Sequence, residues 1–164
     1  MLNTRLDTMR TFTQRAAALL GLTLIGLGVL GLIPGITTNY DDMSFAGSDG
    51  GLLFGIFEGN VLHCVLRIGL GMLGLVAADR YDWSRMYIFG VGLGYLVMWG
   101  YGLAIDLDSG ANFLALNDAD IWGLGLVGGL ASIGLVALTV MADEGRIGDH
   151  RVRAPRGQRA LGGR

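Results

Sequence analysis

Positive charge in this chain sorts by side. Four long apolar segments divide the sequence, residues 16–36, 61–78, 86–105 and 121–142, and eleven of its twelve Lys or Arg residues fall in alternate gaps between them. Arg5, Arg10 and Arg15 precede the first segment, and Arg80 and Arg85 separate the second from the third. Arg146, Arg151, Arg153, Arg156, Arg159 and Arg164 follow the fourth. The two remaining gaps hold carboxylates instead: Asp41, Asp42, Asp49 and Glu58 in one, Asp106, Asp108, Asp118 and Asp120 in the other. A helix needs about 20 mainly apolar residues to cross a hydrocarbon layer of roughly 30 Å. Short loops rich in Arg stay cytoplasmic, whereas carboxylates carry little topological weight. The pattern therefore predicts an all-α integral membrane protein, a four-transmembrane-helix bundle with both termini in the cytoplasm and the acidic loops outside.

The four segments use about half of the chain and leave little for a soluble domain, in keeping with an apolar content of 52%. The expected organisation is a cytoplasmic N-terminal segment (residues 1–15), a membrane domain (16–142) and an Arg-rich tail (143–164). That tail lacks apolar periodicity and is expected to be disordered. Its arginines suit contact with anionic lipid or an acidic partner, at about 1 kcal/mol each near the surface. The first apolar run has full spanning length and is followed by Pro34 and Gly35 with no small-residue cleavage site, so an uncleaved span is expected. The single cysteine, Cys64, permits no intrachain disulfide. Aromatic residues flank the segments as headgroup anchors do, with Tyr81, Trp83 and Tyr87 on the inner side and Tyr40, Trp99, Tyr101 and Trp122 on the outer. The run Gly51 to Phe57 is apolar but too short to cross, and reads as an interfacial turn in preference to a re-entrant segment or an extension of span two.

Of the chain's 29 glycines, many lie four apart, as Gly31 and Gly35, Gly90 and Gly94, and Gly125 and Gly129 do, while Gly71 and Gly74 share a face of the second segment. No hydrophobic effect drives helices together in lipid, so close backbone approach through small residues supplies the packing. These glycines are expected to line helix contacts within the bundle, with other membrane subunits, or between copies of the chain.

Span two holds the strongly polar cluster. Asn60, His63 and Arg67 are spaced three and four apart and share one helix face. Arg67 lies about 10 Å of helix rise from the outer end. Its side chain leans toward that end, so it can snorkel outward to meet Glu58 or one of the outer aspartates, with Glu58 the favoured partner. Ionisable residues within a span mark function by default. The sharper alternative is a small transporter or a proton or ion conduit in which His63 titrates beside Arg67. Asp41, Asp42, Asp118 and Asp120 read as an outer acidic surface, since their spacing matches no calcium loop. Phosphate-binding glycine motifs are absent, and no nucleophile, base and oxyanion set can be assembled. Neither an enzyme nor a nucleic-acid partner is expected.

The string Gly28-Val29-Leu30-Gly31-Leu32-Ile33-Pro34-Gly35-Ile36-Thr37 is followed by an acidic loop and then by Leu53-Phe54-Gly55-Ile56-Phe57-Glu58-Gly59-Asn60-Val61-Leu62-His63. Together these resemble the four-helix bacterial membrane family called domain of unknown function 4383. The resemblance extends over most of residues 16–142 and includes Asn117-Asp118-Ala119-Asp120 at the start of span four. It implies a bacterial plasma membrane, often actinobacterial, and no established activity. The family pattern implies a second histidine four residues after the first on span two, and another near the start of span four. This chain has Arg67 and Gly123-Leu124 there and keeps only His63. The resemblance thus brings no metal or cofactor site, and the expected role is a structural or accessory one beside other membrane subunits.

Overall fold

The computed structural model describes residues 11–153, of which 146–153 are described by backbone alone. Four α-helices dominate: α1 (Phe12–Gly31), α2 (Val61–Ala77), α3 (Tyr81–Ala104) and α4 (Gly129–Arg153), the last preceded by a π-helical run, Asp120–Gly128. Three helical runs, Phe12–Gly31, Tyr81–Ala104 and Asp120–Gly145, are long and apolar enough to cross a membrane. The apolar α2 has 17 residues, so it rises roughly 26 Å, a little less than a hydrocarbon core.

Local chemistry sets the ends. Thr11 and Gln14 form a capping box, in which the Thr11 hydroxyl accepts from the Gln14 amide and the Gln14 side chain accepts from the Thr11 amide. That start signal is invisible to hydropathy, and it begins α1 at Phe12 rather than Ala16. At the other end Pro34 cannot continue the helix, and Gly35 turns the chain with φ of 91°. Gly35 is therefore a turn residue; a Cβ there would meet nothing within 4 Å, which removes it from the packing glycines. Ser84 stitches the tight α2–α3 turn by donating to the carbonyls of Ala77 and Arg80. The fourth helix runs on past Ala142 to Arg153, through part of the segment whose composition suggests disorder. Arg146, Arg151 and Arg153 lie on that helix, while Arg156 and Arg159 fall outside the described residues.

The helices alternate in direction. A methyl on Gly21 would sit 2.7 Å from the Gly71 carbonyl oxygen, and one on Gly28 would sit 2.6 Å from that of Cys64, so α1 and α2 run antiparallel at backbone contact. Gly92 faces Gly129, and Gly102 faces Ile121, which makes α3 antiparallel to the fourth helix. Asp143 closes the ring by accepting from the backbone amides of Phe12 and Thr13 and from the Thr13 hydroxyl, joining the middle of α4 to the first turn of α1. A carboxylate at a helix N-terminus also opposes the positive end of its dipole. Small side chains fill the centre of that end, with Ala16, Ala17 and Ala78 packed around Ile88.

Both long loops sit at the opposite end and form a cap. Its frame is a three-stranded antiparallel sheet in the order β1 (Thr37–Thr38), β2 (Gly51–Leu53) and β3 (Phe57–Gly59). Positive φ at Phe54 and Gly55 makes the β2–β3 turn tight. The Gly51 to Phe57 run is thus a hairpin with an exposed apolar tip, Phe54 and Ile56, and not a helical extension of span two. The loop between α3 and the fourth helix lies against this sheet, where the Phe113 carbonyl accepts from the Gly47 amide and the Asn117 side chain donates to the Ile56 carbonyl.

Candidate functional site

Directly beneath the cap the structure gathers the polar residues of span two with the first turn of the fourth helix. Asn60 is the N-cap of α2, its side-chain oxygen accepting from the His63 amide. Its side-chain nitrogen donates to the carbonyls of Gly47 and Phe113, so one wholly buried amide fastens both loops to the helix. The His63 ring nitrogen Nδ1 lies 3.2 Å from the Leu114 carbonyl oxygen, which makes that nitrogen the protonated one. One turn further in, Arg67 pairs with Asp120 across 3.4 Å; the two side chains are 4% and 0% exposed.

Two expectations change here. The charge partner of Arg67 is Asp120, not Glu58. Glu58 contributes its backbone amide, which donates to Asp120 at 2.9 Å, while its side chain lies at a polar cleft with Asp42 and Asp49. Burial pushes the Glu58 carboxyl above its ordinary value, and the nearby charges of Asp49 and Asp108 add to the rise. Asp120 in turn leaves the outer acidic surface, on which Asp41, Asp42 and Asp118 remain exposed. The reason is a reciprocal cap. Asn117 accepts from the Asp120 amide and Asp120 accepts from the Asn117 amide, which sets the carboxylate in the first turn and directs it inward. The helix then continues as the π-wound Asp120–Gly128, a rare form found mostly at functional positions. Asn117 opened the family-like string in the sequence, and its three-residue spacing to Asp120, repeating Asn60 to His63, was the signal available for this site.

The glycines divide into used and open. Gly31 is in contact with the Cys64 sulfur, Gly71 with the Gly21 backbone, Gly74 with the Tyr87 ring, Gly125 with the Trp99 backbone, and Gly129 with Leu96 and Gly92. Gly21, Gly28, Gly92 and Gly102, which the four-residue spacing did not single out, make equally close contacts. Gly90 and Gly94 do not pack on another helix. A Cβ at either would meet nothing within 4 Å, and both line a cleft of about 590 Å³ between α2 and α3. The cleft reaches from Phe113 and Tyr101 under the cap to Leu70 and Tyr87, and both His63 and Arg67 open onto it. Nε of Arg67 is buried without a hydrogen-bond partner among the described residues.

The profile of the family described as Domain of unknown function (DUF4383) matches residues 14–140. The chain belongs to that family. No curated protein and no solved structure matches it. Membership spans every element of the site, from the α1–α2 contact to the start of the fourth helix.

Proposed function

We propose that this member of the DUF4383 family is a four-span protein of the bacterial plasma membrane with both termini cytoplasmic, serving as a structural or accessory component beside other membrane subunits or a second copy of itself. The sorting of arginine supports the orientation, with the acidic cap outside and the Arg-rich end inside. The alternating helix directions and the placement of both long loops at one end agree with an even number of crossings. On this reading α2, apolar and 17 residues long, is the shortest of the four crossings.

The observation that carries the accessory reading is where the polar interior stops. Arg67 and Asp120 are spent on joining α2, the fourth helix and the cap. Beyond Arg67 the buried face of α2 continues as Gly71, Gly74 and Ala77, and the polar groups facing it are the hydroxyls of Tyr95 and Tyr87 in place of carboxylates or imidazoles. This favours a bolt over a conduit. Outward glycines with open space over them, Gly100 and Gly134, leave room for a neighbouring helix to approach.

Extraction into lipid nanodiscs followed by native mass measurement tests the reading. A stable complex with a second membrane polypeptide or with another copy is the expected result. A monomer without a companion, combined with proton or ion flux that Arg67→Gln abolishes while assembly persists, would transfer the assignment to the conduit. Labelling an introduced cysteine in the tail only after the membrane is opened is expected for the proposed orientation.

A further inference from the structure

We infer that the α2/α3 cleft holds a chain-bearing lipid whose carbonyl oxygen accepts a hydrogen bond from Arg67 Nε. The inference goes beyond the accessory role but rests on the chain being embedded in lipid. The cleft volume of about 590 Å³ falls within the range of small-molecule sites, roughly 300–1,000 Å³. Its walls are apolar, built from Leu66, Leu70, Val91 and Met98, and Gly90 and Gly94 keep its floor open. Onto this space opens Arg67, whose guanidinium meets Asp120 and the Tyr95 hydroxyl while its Nε has no partner among the described residues; at the far end the buried Tyr87 hydroxyl is likewise unpartnered. Arg67 is 4% exposed, and its Nε can only donate. A donor left unpaired in hydrocarbon is strongly unfavourable, because water is scarce at that depth.

Charge narrows the class of occupant. Asp120 already balances Arg67, so an anionic head would add an uncompensated charge at low dielectric, whereas a neutral carbonyl satisfies Nε without one. Direction narrows it further. Arg67 lies nearer the cap, and Leu70 and Tyr87 lie nearer the other end, which places the head toward the cap and the chain toward the bilayer centre. That is how a lipid of the adjacent leaflet already stands. Tyr101 and Phe113 meet at the upper end with their rings tilted by 59° and 5.7 Å between centroids, and they give the head aromatic contacts on that side.

The experiment uses the full chain in dodecyl maltoside, stripped of lipid and titrated by native mass spectrometry with three probes. Decylubiquinone carries ring carbonyls, monoolein an ester carbonyl, and hexadecane none. Binding of decylubiquinone or monoolein in clear preference to hexadecane is expected, and the preferred one assigns the source as a quinone or a glyceride ester. Arg67→Lys, which keeps a positive charge for Asp120 but lacks the Nε donor, should weaken that binding about tenfold or more. Gly94→Leu, at a position with free space above it, should abolish binding with the thermal midpoint unchanged. Binding equal to that of hexadecane, or binding indifferent to Gly94→Leu, overturns the inference. So does a companion polypeptide that Gly94→Leu dislodges, since the cleft would then be a helix-docking groove, an outcome that leaves the accessory role standing.

Discussion

Asp120→Asn isolates the contribution of the buried ion pair. The substitution keeps the shape of the side chain and an oxygen that can still accept from the Glu58 amide, but leaves Arg67, 4% exposed, without its counter-charge. Breaking a buried pair by neutralising one member costs about 3–5 kcal/mol. The 3.4 Å separation and the surviving backbone bond place this case near the lower end, about 3 kcal/mol. Removing both charges, as Arg67→Met with Asp120→Asn, should cost less than Asp120→Asn alone, because no lone charge remains and the cap bond persists. The expected coupling is about 2 kcal/mol or more, above the roughly 0.6 kcal/mol typical of single interhelical hydrogen bonds in membranes. Glu58→Gln serves as the internal control and should change stability by less than about 0.5 kcal/mol, since its carboxylate does not face Arg67. Reversible unfolding in mixed micelles, followed by the near-ultraviolet signal of the tryptophans, gives all four free energies. Additivity of Arg67→Met and Asp120→Asn, or a larger loss from Glu58→Gln than from Asp120→Asn, would refute Asp120 as the partner.

Gly71→Ala should destabilise by about 1–3 kcal/mol, because its methyl would stand 2.5 Å from the Gly21 carbonyl oxygen, whereas Gly90→Ala, with open space above it, should be neutral or slightly stabilising in thermal melts. Asn60→Ala removes the α2 N-cap and two bonds to loop carbonyls, for an expected loss of about 3 kcal/mol; proteolysis within residues 44–48 should accelerate with it. Asp143→Asn weakens the charged cap on α1 by about 1 kcal/mol and should raise amide exchange at Phe12 and Thr13 first. For Glu58, a folded-state pKa above the unfolded one means that the folded state holds the proton more tightly. Its contribution to stability is then complete below the unfolded value, near 4.5, and declines as pH rises through the higher folded value. Glu58→Gln should flatten that decline in a pH series of melts.

Much of the architecture was legible because long apolar runs leave the backbone so few solutions. Apolar length predicted four spanning helices, and the described residues form four α-helices, with three helical runs long and apolar enough to cross a membrane. Helix ends were less legible because they depend on single hydrogen bonds: Thr11 with Gln14 moves the start of α1 to Phe12, and backbone continuity carries α4 to Arg153. The Gly51 to Phe57 run could not be resolved from hydropathy because its decisive features are strand pairing and positive φ at Phe54, neither of which an apolar count registers. Among the glycines, spacing alone could not separate Gly71, pressed on a backbone, from Gly90, facing open space. Both sit on helices with the same small-residue pattern, and only the position of the neighbouring helix distinguishes them.

Arg67 shows how the site departs from what its residues alone suggest. Proximity along the chain favoured Glu58, nine residues before it and apparently within reach of a snorkelling side chain. The hairpin defeats that reading, since β3 uses the Glu58 amide for Asp120 and leaves the carboxyl at the polar cleft with Asp42 and Asp49. Asp120 is brought from 53 positions away by the antiparallel ring of helices and aimed by its exchange with Asn117. An arginine where the family-like pattern would place a second histidine introduces a permanent positive charge, and a fixed charge at that depth is tolerable only beside a fixed counter-charge. Arg67 and Asp120 are therefore best understood as one unit. A histidine at the position of Arg67 can be held as a neutral ring, which removes the requirement for a buried carboxylate at the position of Asp120. Asp120→Asn combined with Arg67→His should accordingly recover most of the stability that Asp120→Asn loses alone. The same unfolding assay decides it, and no recovery would mean that Asp120 is retained for its backbone bonds and not for its charge.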